Sequence, residues 1–228
     1  MKVKPTLLLT SILFILVTTG VFSNIKQQLA VDESKLPEKL EANNLFQRWI
    51  TNLKNNDVDV GADDFRLFEE AEIYNTMWVT IKSIDDPGVE EWFSNELLIH
   101  QDLDKVVFSP SDKEFIDFRH TPRGEYNINE VRFLGQKEDK ILDSKVVDCS
   151  IRANCYFDRA YFLDNDVFVV TEISRNIHKH DDTSELCPID EICTYTVKLH
   201  LIDLIQNKRL VYESNPFDVV LAKLIPEL

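Results

Sequence analysis

The sequence predicts a mainly β fold, an antiparallel meander of short strands arranged as a partial propeller or a sandwich. An amphipathic helix leads it and a short helix closes it. Three observations support that expectation. From Met77 onward, apolar residues recur at every second position in short runs separated by charged turns. Residues 156–163 and 167–173, joined by Asp164-Asn165-Asp166, form the clearest hairpin in the chain. Ahead of Met77 the spacing is helical, with Leu36, Leu40, Leu45, Trp49 and Leu53 on one stripe. Helices at both ends leave an α+β arrangement as the alternative.

Taken in order, residues 1–23 read as a signal peptide or membrane anchor. Lys2 and Lys4 precede an uncharged run from Thr6 to Phe22, and Val21 and Ser23 are small enough for a signal-peptidase site. The run also reaches the lower limit of about 17 residues for crossing a bilayer. Lysines on its amino side make the remainder the exported part. Residues 24–33 are a polar spacer, and residues 34–228 a single β-rich domain. Its leading helix spans residues 34–55, with Ser34 as cap, Pro37 in the first turn, and Phe46 and Ile50 widening the stripe.

Residues 55–64 break that helix. Asp57, Asp59, Asp63 and Asp64 surround Gly61, but a calcium loop counted from Asp57 needs its glycine at Ala62 and a glutamate at Phe68, so a solvated acidic loop is expected. Residues 63–74 fit either a helix or a strand. Residues 78–84 form a strand ended by Asp86-Pro87-Gly88. One helical turn at residues 90–95 and strands at residues 97–100, 106–109, 115–119 and 130–134 follow. After the hairpin, residues 195–204 alternate, with Val197, Leu199 and Leu201 on one face and Lys198 and His200 on the other. Gln206-Asn207-Lys208 turns the chain back into residues 210–212. Asn215 then caps a closing helix that buries Phe217, Val220, Leu221 and Leu224.

Three stretches together, SPSDKEFIDFR from Ser109, FDRAYFLDNDVFVV from Phe157 and VKLHLIDLIQNKRLVYE from Val197, cover about half the chain. In strand patterning they resemble uncharacterised exported bacterial β-rich proteins with propeller-blade-like hairpins. That resemblance implies a partial ring or a sandwich, because a complete propeller needs several four-stranded blades. It implies no active site.

Composition narrows the function classes. The chain has 228 residues, 44% of them hydrophobic, with 25 basic against 40 acidic side chains and a formal net charge of −15. Removing Lys2 and Lys4 makes the balance more negative still. Such a surface repels phosphate backbones and anionic headgroups, so nucleic acid is excluded as a partner and a membrane is reached only through an uncleaved leader. Cys149, Cys155, Cys187 and Cys193 form two C-x5-C units, and an even count in an exported chain predicts disulfides. Cys149–Cys155 with Cys187–Cys193 is the favoured pairing, and pairing across the units is the other. Zinc ligands usually stand closer together than this.

The chemistry-bearing motifs are few. His178, His180, Asp181 and Asp182 form the one local cluster with ligand types that suit a divalent transition metal, although a solvated hairpin loop explains it without a metal. His100, His120 and His200 are isolated and expected on the surface or on strand faces. Nucleophile elbows, zincin helices and phosphate loops are missing from the sequence, and five glycines leave little for a phosphate cradle. Tyr156, Tyr161, Phe162 and Phe168 could build a sugar platform, but alternating hairpin aromatics usually face a core. These features predict a non-catalytic exported or membrane-anchored domain, periplasmic or extracellular, that binds a protein or envelope component. No catalytic residue and no cofactor are assigned. The alternatives are a hydrolase assembled from dispersed carboxylates and histidines, and a metal-binding envelope protein using His178 to Asp182.

Overall fold

Period-two patterning becomes two six-stranded antiparallel sheets. The computed structural model describes residues 33–73, 79–123, 126–149, 154–175 and 187–225. The helices are α1 (Glu38–Glu41), α2 (Asn44–Asn55), α3 (Val89–His100) and α4 (Leu221–Leu224). The strands begin with β1 (Arg66–Glu72), β2 (Val79–Ser83), β3 (Val106–Phe108), β4 (Glu114–Asp117), β5 (His120–Arg123), β6 (Tyr126–Lys137) and β7 (Lys140–Asp148). They continue with β8 (Cys155–Phe162), β9 (Val167–Arg175), β10 (Ile192–Asp203), β11 (Lys208–Glu213) and β12 (Phe217–Val220). One sheet runs β1-β11-β10-β9-β8, with β12 also paired to β10; the other runs β2-β7-β6-β4-β3, with β5 also paired to β6.

The layers follow from which residues each strand buries. Phe133 and Ile116 of one sheet meet Phe168, Val170 and Ile202 of the other in a shared core. The Phe133 and Phe168 rings stack across the gap, centroids 5.8 Å apart. On the outer face of the first sheet, Val169, Val197, Leu199 and Tyr212 pack against Phe46, Trp49 and Leu53 of α2 and Leu221 and Leu224 of α4. On the outer face of the second, Phe115, Leu134 and Ile141 pack under Phe93 of α3. The order is therefore helix, sheet, sheet, helix, which makes the fold a sandwich. β9 is buried on both faces, from Phe168 to Ser174 without interruption, and its near-continuous apolar sequence is what such a strand requires.

Several expectations are corrected by this packing. The leading helix is two helices: Asn43, not Ser34, caps the longer one, accepting from the Leu45 and Phe46 amides at 2.8 and 3.4 Å. Leu45, assigned to the buried stripe, is 47% exposed because the side of this helix that packs on the sheet carries Phe46, Trp49, Ile50 and Leu53. Residues 97–100 are not a strand, and the single turn expected before them is longer. Both belong to α3, started by Gly88 at φ 80° and stabilised by Glu90 and Glu91 in the first turn. Residues 217–220 form β12 rather than helix, because Val219 and Asp218 pair with Cys193 and Thr194 of β10. The loop around Gly61 is as expected, with Asp57, Asp59 and Asp63 exposed, while Asp64 accepts from the Gly61 amide at 2.8 Å and from Asn215 Nδ2 at 3.1 Å. Tyr161 and Phe168 are core residues.

Gly135 marks a close approach. A Cβ there would stand 2.6 Å from Phe133 Cζ and 2.7 Å from Glu114 Cγ, because Gly135 pairs directly with Glu114 between β6 and β4. Gly135→Ala is expected to cost about 1–3 kcal/mol through overpacking, read as a lower urea midpoint with an unchanged slope.

Two covalent links and one buried amide organise the end of the sandwich where β7 passes to β8. Cys149 is bonded to Cys155, joining the end of β7 to the start of β8, and Cys187 is bonded to Cys193 at the entry to β10. Between them Asn154, 4% exposed and at φ 50°, donates from Nδ2 to the Cys187 carbonyl at 2.7 Å and accepts the Cys187 amide at 2.8 Å. Disulfides of this kind belong to a non-reducing environment. Among the described residues no helix is long and apolar enough to cross a membrane.

Candidate functional site

A hollow of about 540 Å³ lies among Asn56, Lys105, Asp158, Arg159 and Lys223, and two smaller ones lie along α3. Its sequence repeats Trp92, Glu96 and His100 at i, i+4 and i+8, which places all three on one side of the helix. That side faces Phe115 and Asp117 of β4, Arg132 and Leu134 of β6, and Asp143 of β7 across a cleft of about 230 Å³. Phe115 forms part of the floor, and the His100 ring stacks on it with centroids 4.5 Å apart. Lys82 of β2 sits 3.7 Å from the Trp92 ring centre, a cation–π contact at one end of the cleft.

The titratable groups here are engaged with one another. His100 Nδ1 lies 2.8 Å from the Glu96 carbonyl, which can only accept, so Nδ1 is the protonated nitrogen. Its Nε2 lies 3.3 Å from Arg119 Nη2 and 3.8 Å from Asp117 Oδ2. Asp117 takes two side-chain bonds from Arg119, Nη2 at 2.6 Å and Nε at 2.9 Å. Burial raises the Asp117 carboxyl, but the hydrogen bonds and charge of Arg119, with His100 adding a little, outweigh that and hold it below the usual range. Asp143 is gripped by Arg132 Nη2 at 2.8 and 3.0 Å. The arrangement gives a ligand an aromatic wall and a rim of fixed charges. Its described lining contains no hydroxyl or thiol that could act as a nucleophile.

Around the C-terminal half of α3 the surface turns apolar. Leu98 is 68% exposed, Ile99 51% and Leu103 38%. Leu98 also borders a second hollow of about 400 Å³ shared with Ser94, Leu97, Gln101, Phe108 and Asp112. Asp102 and Asp104, on either side of Leu103 in the chain, and Asp112 of that hollow are exposed.

The sequence-derived candidates fall elsewhere. His178, His180, Asp181 and Asp182 lie outside the described residues. The four cysteines are all in disulfides. His200 is not on the surface: it is 4% exposed, with Nε2 2.9 Å from Glu172 Oε2 between the sheets, because β10 is covered on both sides. His120 lies against Tyr156, ring centroids 6.2 Å apart. The α3 residues were missed because Leu97-Leu98-Ile99 reads as strand. The four-residue spacing of Trp92, Glu96 and His100 behind Gly88 and two glutamates was the available signal for a helix.

No protein-family profile, curated protein or solved structure matches this chain, so none of them supplies a function.

Proposed function

We propose that this is a non-catalytic, exported binding domain that uses the C-terminal half of α3 to hold a protein partner through an apolar segment flanked by lysine or arginine. The observation behind this reading is the exposure of Leu98, Ile99 and Leu103 beside the hollow lined by Leu97 and Phe108. Large apolar side chains grouped on a surface rather than scattered mark interaction sites. α3 needs only one apolar side to pack on its sheet, where Phe93 is its one fully buried residue, so folding does not account for the others. The partner's charge follows from the exposed Asp102, Asp104 and Asp112, which on a chain of net charge −15 attract a basic flank and repel a second copy of the domain. Export is supported by the disulfides and by the apolar leader with its two lysines.

The test is site-specific photo-crosslinking in the native host, with the probe at Leu98, at Leu103, or at Ile192, a residue of the other sheet at least as exposed as either. Adducts are expected from Leu98 and Leu103 but not from Ile192. They should weaken as salt is raised, and the captured peptide should combine apolar residues with lysine or arginine. With the probe at Leu103, Ile99→Glu should reduce the adduct at least about tenfold while the melting temperature is unchanged. Equal labelling at all three positions, no adduct, or an adduct with a second copy of the same chain would overturn the reading.

A further inference from the structure

The hollow of about 540 Å³ has the size of a small-molecule site, for which about 300–1,000 Å³ is usual. Consecutive residues of a regular strand point to opposite faces, yet Asp158 and Arg159 of β8 both line it. The cause is an irregularity in the pairing of β8 with β9. Phe157 stands opposite Glu172 and Arg159 opposite Thr171, so Asp158 is the extra residue of a bulge. The buried Thr171 hydroxyl fixes that bulge, accepting the Arg159 amide at 2.9 Å and donating to the Arg159 carbonyl at 3.3 Å. From α2, Trp49 Nε1 donates to Asp158 Oδ2 at 2.7 Å. Asn52 and Asn56 follow Trp49 on the same side of that helix and line the hollow too.

The charge of this lining runs against that of the molecule. On a chain of net charge −15, Lys105, Arg159 and Lys223 here outnumber Asp104 and Asp158 by one. Asp158 is held by the indole and lies 3.9 Å from Arg159 Nε. Among the described residues nothing hydrogen-bonds the Arg159 Nη nitrogens, the Lys223 ammonium or the Asn52 side-chain amide. Those donors come from β8, α4 and α2.

We propose that this hollow binds a small hydroxylated monocarboxylate, an acidic monosaccharide. Arg159 and Lys223 pair with its carboxylate, and Asn52 and Asp158 take its hydroxyls. A guanidinium matches a carboxylate through two parallel N–H bonds. One negative charge balances the lining, whereas a phosphate, near −2, would leave it in deficit. An aspartate can only accept, so Asp158 calls for a ligand that brings donors, which hydroxyls supply and a bare anion does not. The site is separate from the apolar surface of α3 and needs no change in the disulfides.

The experiment is calorimetric titration of the full, oxidised chain at low ionic strength, with glucuronate, galacturonate and N-acetylneuraminate as probes. One equivalent of at least one of them is expected to bind, at least about tenfold more tightly than glucose, acetate or inorganic phosphate. Glucose lacks the charge, acetate the hydroxyls, and phosphate carries too much charge. Arg159→Gln and Lys223→Gln should each weaken that binding at least about tenfold, and the two together should abolish it. Both side chains are exposed, so the melting temperatures of the variants should match wild type. Asn52→Ala should weaken the acidic sugar and leave acetate unaffected, because it removes a hydroxyl partner only. No binding by any of the three probes would overturn the proposal. So would glucose, acetate or phosphate binding as tightly as the acidic sugars, or binding that survives the double substitution in a folded chain.

Discussion

Asn154→Ala should lower stability by about 3–5 kcal/mol with both disulfides intact, a fall in melting temperature of roughly 6–20 °C for a chain of this size. The effect has two sources. The Asn154 amide satisfies both the N–H and the C=O of Cys187, which is itself 4% exposed, and alanine leaves those two groups buried without partners. Asn154 also sits at φ 50°, where an asparagine is tolerated and an alanine is strained by about 1–2 kcal/mol. Asn154→Gly separates the two, because glycine relieves the backbone but restores no hydrogen bond. Asn154→Asp keeps the acceptor for the Cys187 amide and loses the donor, so it should fall between wild type and alanine. A melting temperature for Asn154→Ala within about 2 °C of wild type would show that the disulfides alone hold this end of the sandwich.

Lys137→Met should cost about 3–5 kcal/mol at pH 7 and much less at pH 4. Lys137, near the end of β6, reaches Glu114 of β4 and also Asp166 in the turn between β8 and β9, so one ammonium ties the two sheets together. The Glu114 side chain is only 4% exposed, and its Oε2 has no hydrogen-bond partner among the described residues. Burial pushes its carboxyl above 4.5 even with the Lys137 charge pulling the other way. A carboxyl raised on folding adds stability below its unfolded value of 4.5 and loses it as pH rises through the folded value. Removing the ammonium raises the folded value further and deepens that loss toward neutrality. At pH 4 the carboxyl is largely protonated in both states, so most of the penalty disappears. Urea unfolding at the two pH values measures the difference. A penalty equal at both would mean that the methylene stem of Lys137, rather than its charge, holds the corner.

What was legible in the chain was what depends on neighbours in sequence. The hairpin around Asp164-Asn165-Asp166 could be read because its strands are adjacent and its turn residues tolerate the geometry; β8 and β9 are in register there from Phe162 and Phe168. The alternation of Val197, Leu199 and Leu201 was read correctly as one face of a strand, and that face meets α2. β7 escaped notice although Ile141, Val146 and Val147 are buried, since Ile141 and Leu142 face opposite layers and an irregularity in its pairing with β6 puts the consecutive Val146 and Val147 in one core. α3 was misread for a related reason. A helix that covers a sheet with one side and leaves Leu98 and Ile99 on the surface has no single apolar stripe to detect.

The candidate sites depended on pairings distant in sequence. Nothing near His100 in the chain announces that Arg119 will reach it, or that Arg132 and Asp143 will close the cleft, because Arg119 arrives on the link between β4 and β5, Arg132 on β6 and Asp143 on β7. Nor does the sequence around Arg159 reveal that a bulge in β8 brings it and Asp158 to one hollow with Lys223 of α4.

The sequence by itself determined the β-rich class, the acidic surface and the even set of cysteines, because composition and local periodicity carry that information without any knowledge of the fold. Which faces those strands cover, which apolar residues remain outside and which ionisable groups meet inside were decided only by tertiary packing. The physical reason is that burial belongs to a pair of layers, and a chain cannot state it until both layers are in place.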